Sequence, residues 1–337
     1  MRILPLDPSD AGTVRACHEI YTAAVRADDS PDPARSVTAF STRLTLSRSG
    51  SRTQVWFVPG AGARTVAAWC RAELSTQENR SLALLDLVVD PARRRGGLGT
   101  ALLRHAAGEA AADGRVSLRG TVQEGSAGEA FARKAGATQG MTDIRRVLEL
   151  RAIPAGAVAH LRERAAKAAA GYSLVRWEGL TPGARLDQVA ALRNAMNDAP
   201  RDAGVQGSAW DARRVREHAD AYVARSGMRR YSLAAVHDAS GEMAALTVMS
   251  VDPGVPDWGL QAFTAVARPH RGHRLGLLVK AAMVEWLTAA EPGLERIVTE
   301  NASSNKHMIA INEELGYQVW GRPFRTVELP VASVVKT

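Results

Sequence analysis

The chain has 337 residues, 46% hydrophobic and 23% charged, which is room for two domains of common size with the composition of a soluble globular protein. No apolar run of membrane-spanning length occurs, and two isolated cysteines, Cys17 and Cys70, make neither a disulfide framework nor a zinc site. The net charge of +8 favours an acidic partner such as nucleic acid, a membrane surface or a phosphorylated cofactor, while the 5% aromatic content argues against a stacking platform for single strands.

In chain order, "MRILPL" reads as a strand, and it lacks the long apolar stretch of a signal peptide, so a cytoplasmic protein with buried free thiols is expected. Residues 9–28 and 33–47 read as helices. "TQVWFVPG", "RTVAAWCRAEL" and "SLALLDLVVD" follow as strands, separated by Gly or polar turns. Residues 96–112 predict a helix, with Leu98, Ala101, Leu102, Ala106 and Ala110 near helical spacing. "RVSLRGTV" is a strand, 126–135 a helix and "MTDIRRVLEL" a strand. The alanine-rich piece 155–170 is a helix that either joins two halves or closes the first. "YSLVRWEG" then opens a second series: helices at 184–197 and 208–226, strands "YSLAAVHD", "EMAALTVMS" and "GLQAFTAVA", helix 272–290, strand "RIVTENA", helix 304–315 and strand "TVELPVAS".

The two series repeat one plan. "VVDPARRRGGLGTALL" is matched by "TAVARPHRGHRLGLLVKAAM", with Arg94 corresponding to Arg271, a shift of 177. "AFARKAGA" is matched by "AINEELGY", with Gly136 corresponding to Gly316, a shift of 180. Two landmarks in the same order at nearly one shift indicate a duplicated domain. The boundaries expected are 1–152, a linker helix 153–171, and 172–337.

Each copy places an Arg/Gly cluster where a strand gives way to a helix. A helix start exposes unpaired N–H groups and the positive end of the macrodipole, and glycine lets a phosphate approach the backbone. Gly96, Gly97 and Gly99 with Arg94 and Arg95 therefore form a candidate anion site. The run has neither the Lys-Ser/Thr ending of a nucleoside-triphosphate loop nor the G-x-G-x-x-G fingerprint. It resembles the acetyl-CoA loop of the GNAT N-acetyltransferase superfamily, Arg/Gln-x-x-Gly-x-Gly/Ala, read here as Arg94-Arg95-Gly96-Gly97-Leu98-Gly99 and again as Arg271-Gly272-His273-Arg274-Leu275-Gly276. The layout is similar to that of mycothiol synthase and other actinobacterial tandem acetyltransferases.

The resemblance implies an α/β fold with a mixed α+β sheet in two tandem GNAT domains. It implies acetyl-CoA, or another acyl-CoA, gripped through Leu87, Val88, Val89, the loop 94–99 and Thr100 in the first domain. In the second it implies Thr264, Ala265, Val266, the loop 271–276 and Asn305. Arg274 stands where the first copy has Gly97, which predicts a negative φ there.

The halves differ at the acceptor end. Where many family members carry a Tyr that protonates the leaving thiolate, the first half has Ala132 and the second Asn312. "TENASSNKHMIAINEELGY" supplies Asn301, Asn305 and Asn312, and seven residues separate the last two, so they share a helix face. Asn312 and Asn301 are the candidates to orient substrate or stabilise an oxyanion, and Glu300 is the candidate base unless strand alternation turns it outward to solvent. Asp86 either faces the cleft or is a buried, hydrogen-bonded carboxylate. Asn197 and Asp198 either recognise an amine or form a helix-ending turn before Pro200.

The function expected is acyl-CoA-dependent N-acyl transfer to a primary amine of a small molecule, through a tetrahedral intermediate in the second domain. The first domain then holds acetyl-CoA without reacting it. The rival is a non-catalytic acyl-CoA sensor. No metal, nucleic acid or membrane partner is expected, and the chain is read as a monomer or homodimer.

Overall fold

A computed structural model describes residues 1–31, 33–47, 49–60 and 65–335. The chain runs β1 (Leu4–Pro5), α1 (Ala11–Ala27), α2 (Val37–Thr45), β2 (Ser51–Pro59), β3 (Val66–Ser75), β4 (Leu82–Val89), α3 (Leu98–Ala112), β5 (Ser117–Gln123), α4 (Ala127–Lys134) and β6 (Thr138–Glu149). It continues through α5 (Ala157–Ala168), β7 (Tyr172–Glu178), α6 (Leu186–Ala195), α7 (Ala212–Arg214), α8 (Ala221–Ser226), β8 (Arg229–His237), β9 (Met243–Asp252) and β10 (Val255–Val266). It ends with α9 (Leu275–Ala290), β11 (Arg296–Ala302), α10 (Lys306–Glu314), β12 (Gln318–Val319), β13 (Phe324–Pro330) and α11 (Val331–Val335).

The helix starts follow from short polar caps. Asp10 accepts from the N–H groups of Gly12 and Thr13 at the head of α1, and Ser36 accepts from Ala39 at the head of α2. Ser126 and Glu129 make a capping box on α4: Ser126 Oγ accepts from Glu129 N, and Glu129 Oε2 accepts from Gly125 N.

Two compact units result. The first comprises residues 1–142, 202–206 and 321–337; the second comprises 143–201 and 207–320. In the first, the strand order is β1-β2-β3-β4-β5-β13, antiparallel except for the parallel pair β4–β5. One face buries Leu102, Ala106, Leu118, Leu329 and Val334 beneath α3 and α11; the other buries Ile20, Phe40, Leu44 and Trp69 beneath α1 and α2. In the second, the order is β7-β8-β9-β10-β11-β6, with β10–β11 the parallel pair.

The boundaries at 152 and 171 therefore need correction. Residues 143–149 of β6, expected in the first half, pair with β11 from Asp143↔Ala302 to Glu149↔Arg296. β13, expected in the second, pairs with β5 from Phe324↔Gln123 to Pro330↔Ser117. The reason is physical: both strands carry the same local alternation, and a strand's period says nothing about which sheet supplies its partner. The expected linker helix is also not a linker, because α5 buries Ala165 against the core that α9 builds.

Segment 202–206 is pinned into the first unit. Asn79 and Gln206 exchange hydrogen bonds of 2.7–3.1 Å, and Asp202 Oδ1 accepts from Met141 N at 2.6 Å. Gly140 is needed at that contact, since a Cβ there would lie 2.5 Å from Asp202 Oδ1.

A fragment of residues 1–152 should not fold cooperatively. It lacks Val327, Leu329, Val331 and Val334, all buried in the first unit, whose burial is worth on the order of 6–12 kcal/mol. That is comparable to the whole stability of a domain. A thermal melt followed by circular dichroism checks it, and a sharp transition in the fragment would contradict the strand assignment.

Candidate active site

The site begins where two parallel strands stop pairing. β4 and β5 share three rungs, Leu82↔Ser117, Ala83↔Leu118 and Leu84↔Arg119, and then diverge. Beyond the last rung a cavity of about 410 Å³ opens between them. That volume is within the range of small-molecule sites. Its walls are Leu85, Leu87, Val88 and Val89 from β4, Gly120, Thr121 and Val122 from β5, Phe131 and Ala132 from α4, and Val327 and Leu329 from β13.

The Arg/Gly loop closes one end. Gly97 caps α3 in the left-handed region at φ 80°, with nothing within 4 Å of where a Cβ would stand, and Arg95 also has positive φ, 69°. This backbone puts Gly97, Leu98, Gly99 and Thr100 at the head of α3 against the cavity. Their first-turn N–H groups have no helical partner, which suits an anion. α3 packs on its neighbours at Gly99, where a Cβ would make ordinary contact, 3.4 Å from the Phe131 ring and 3.6 Å from Val89. Arg95 lines the same end. Arg94 lines it too, but its guanidinium is bidentate to Asp28, at 2.6 and 2.7 Å. Gly96 is exposed in the same loop.

A second, smaller cavity of about 270 Å³ shares Leu85, Arg119, Gly120 and Thr121 with the first. Its other walls are charged. Arg43 Nη2 lies 2.8 Å from Asp86 Oδ2; Arg71 pairs with both Asp86 and Glu73; Arg119 Nη2 lies 2.7 Å from Asp202 Oδ2. Asp86 is thus a partly exposed carboxylate facing this cavity. Of this set, the sequence reading singled out Asp86 alone. The available signal was Arg71 and Glu73, two charges at alternate positions of an otherwise apolar strand.

The second unit repeats the frame with different contents. β10 and β11 share rungs Trp258↔Arg296 to Leu260↔Val298, and a bulge follows at Gln261–Phe263. A Cβ on Gly276 would stand 3.1 Å from Ile311 and 3.7 Å from Val266, as Gly99 would meet Phe131 and Val89. Arg274 has φ 53°, which corrects the expected negative value: the helix start needs a left-handed residue, and here a side chain bears the strain.

The loop charges of this unit are committed. Arg268 and Arg271 both bind Asp198, holding its carboxyl down at about 2, and Arg274 Nη2 binds Glu314 at 2.6 Å. Asn197 braces a turn through Ser208. His273 packs against Tyr172; Thr264 Oγ1 is bonded to Thr247; Ala265, Leu275 and Gly276 are buried, and Val266 packs on the core.

Of the residues expected to be catalytic, Asn301 and Asn312 meet each other and Glu300 lies apart, paired with Arg145. Asn312 is completely buried and donates from Nδ2 to Asn301 Oδ1 at 2.7 Å, while its own Oδ1 is buried without a hydrogen-bond partner. Asn305 is the cap of α10, accepting from Met308 N. Glu300 turns outward to Arg145 Nε at 2.9 Å, as strand alternation allows. The cysteines are buried, and desolvation pushes the Cys17 thiol up to about 12. Among the described residues no group of His, Cys, Asp and Glu has a metal-holding arrangement, and no helix is long and apolar enough to cross a membrane.

Residues 15–137 match the model of the Acetyltransferase (GNAT) family. Over the whole fold, the chain is similar to a tandem GNAT protein from the clavulanic acid biosynthesis pathway, solved without acetyl-CoA. The two are 27% identical, 98% of each chain is covered, and the TM-score is 0.79. A GCN5-related N-acetyltransferase from Sphaerobacter thermophilus shares the fold at 15% identity, with 98% and 95% of the chains covered and a TM-score of 0.64. A comparison with curated protein sequences gives no match. Residues 15–137 thus match a GNAT acetyltransferase domain, and the whole chain has the fold of the tandem GNAT protein it resembles.

Lys280 marks the difference between the units. It stands 177 residues after Leu103, which lines the first unit's large cavity. It is completely buried, its Nζ donates to Gln261 Oε1 at 2.9 Å, and burial brings its ammonium down to about 7. The folded state therefore binds this proton less tightly than the unfolded chain does. Stability should rise with pH between about 7 and 10.5, by about 1.4 kcal/mol for each unit crossed, with no further change from this group below 7. Denaturant melts across that window, compared with Lys280→Met, check it. The excess slope should vanish in the variant, and an equal slope in both proteins would contradict it.

Proposed function

We propose that acyl transfer takes place in the first unit, from acyl-CoA, acetyl by default, to a primary amine of a small molecule. One observation supports this reading above the others: a deep, largely apolar cavity and a charged one meet at a single split between β4 and β5. This moves the chemistry from the second unit, where the sequence reading put it, because there Asn312 is fully buried against Asn301 and Glu300 pairs with Arg145.

The residues present fit the donor. The head of α3, with Gly97, Leu98, Gly99, Thr100 and Arg95, would hold the pyrophosphate, and Leu87, Val88 and Val89 would flank the pantetheine arm. Bound there, the donor supplies a thioester, an acyl group already activated for attack by an amine. The chain's own residues do the rest. Asp86 and Glu73 can take the proton that the attacking amine must lose. Backbone N–H groups of β4 beyond Leu84, released from pairing with β5, are donors for a developing oxyanion. Ala132 leaves no tyrosine acid, but a thiolate is a far better leaving group than an alkoxide and can depart without one, taking its proton from water.

Leu103→Trp fills the cavity from α3. Calorimetric affinity for acetyl-CoA and release of free CoA thiol should both fall by about 100-fold or more, with the fold retained by circular dichroism. A folded variant that still binds and turns over would place the donor elsewhere.

A further inference from the structure

Resting on the acyl-transfer reading above, we propose that the charged cavity selects an acceptor that is itself a zwitterion, a primary amine carrying a carboxylate, of amino-acid size. The walls hold three guanidiniums, Arg43, Arg71 and Arg119, and three carboxylates, Glu73, Asp86 and Asp202, each engaged with an opposite charge. A ligand of one sign cannot enter such a set without cost. A polyamine would satisfy the carboxylates and set its remaining charges against the guanidiniums; a dianion would do the reverse. A zwitterion exchanges like for like. Its ammonium replaces an arginine at a carboxylate, its carboxylate replaces an aspartate at an arginine, and no charge in the wall is left without a partner.

The placement of the charges gives the ligand a direction. Arg119 stands on the last rung shared by β4 and β5 and holds Asp202 there, and Asp86 lies two residues past Leu84 on β4. These two carboxylates flank the split across which the amine has to meet the donor. Arg43 comes from α2, off the sheet, and reaches Asp86 Oδ2 at 2.8 Å. The ammonium end therefore belongs at Asp86 and Asp202, and the carboxylate end at Arg43. Arg71 adds capacity behind it: its side chain is only 5% exposed, and its Nε has no hydrogen-bond partner, as is also true of Arg119 Nε. Leu84, 47% exposed in the same wall, offers apolar contact to a substituent.

Size agrees. A cavity of about 270 Å³ holds roughly nine waters' worth of liquid volume, the scale of a free amino acid. A protein N-terminus would bring a chain and no carboxylate beside its amine. In the step itself the amine nitrogen bonds to the acyl carbon as the carbon–sulfur bond breaks. The bound ammonium gives one proton to the carboxylate and on to water before it attacks, the nitrogen loses a second by the same route as the amide forms, and the thiolate leaves, giving an N-acyl acid.

The test uses the full chain, acetyl-CoA and matched acceptor sets: free amino acids of α, β and γ type, the methyl ester and carboxamide of each, and the corresponding alkylamines and polyamines. Release of CoA thiol gives kcat/KM. A zwitterion should be preferred over its own ester by about 100-fold, since esterification strands an arginine. Arg43→Met should shrink that preference to below about tenfold, mainly through KM, and Arg43→Lys should recover part of it. Calorimetric affinity for acetyl-CoA should stay the same in both variants. Equal or faster reaction of amines without a carboxylate, an undiminished preference in Arg43→Met, or acetyl-CoA binding with no zwitterion reacting would each overturn the proposal. Absence of acetyl-CoA binding would instead overturn the transfer reading beneath it, and calorimetry reports that separately.

Discussion

The first unit depends on a ladder that stops. β4 and β5 are held by three parallel rungs and then part, and every feature of the candidate site follows from the gap. Backbone groups released from a sheet are costly to bury without partners, at about 1–3 kcal/mol each. The gap therefore has to be held open by what lies on either side. β3 holds β4 along its length through Ala68↔Val89 to Leu74↔Ala83, and β13 holds β5 over all of its residues. The last of these supports, Phe324–Pro330, lies far along the sequence from Ser117–Gln123, so the first unit's cleft is completed only by a strand made long after β5.

The second unit shows the same frame with another filling. The close contacts at Gly99 and Gly276 match, and so do the paired left-handed residues ahead of each helix, Arg95 and Gly97 in one copy, Gly272 and Arg274 in the other. The fillings do not match. Where Leu103 and Ala132 border a cavity, Lys280 and Asn312 are buried side chains tied to Gln261 and Asn301. A desolvated lysine and an internal amide pair specify a packed interior at some expense in stability, while apolar and small residues at the same places leave room for a ligand.

Much of this was legible in the sequence. The duplication showed in two landmarks, and the element order in apolar periodicity. The loop 94–100 was legible because its chemistry is local: left-handed backbone, unpaired amides and charge fall within seven residues. The exchange of β6 and β13 was not, because strand pairing over such distances leaves no mark in local alternation. Asn301 and Asn312 misled for a related reason. An amide that faces a ligand and one that faces another amide look alike in sequence, and only burial separates them. The charged cavity was hidden by dispersal: α2, β3, β4, β5, Asp202 and Thr326 each contribute, and no single element carries more than two of the charged groups.

The central claim is that the β4–β5 split of the first unit is where the acyl donor lodges. Amide hydrogen exchange read by mass spectrometry, with and without acetyl-CoA, tests it most directly, because it reports each backbone segment separately. Slowed exchange is expected at residues 85–89, 97–103 and 118–122, with 264–266 and 272–280 unchanged. Protection confined to the second set, or no protection anywhere at saturating donor, would contradict the account.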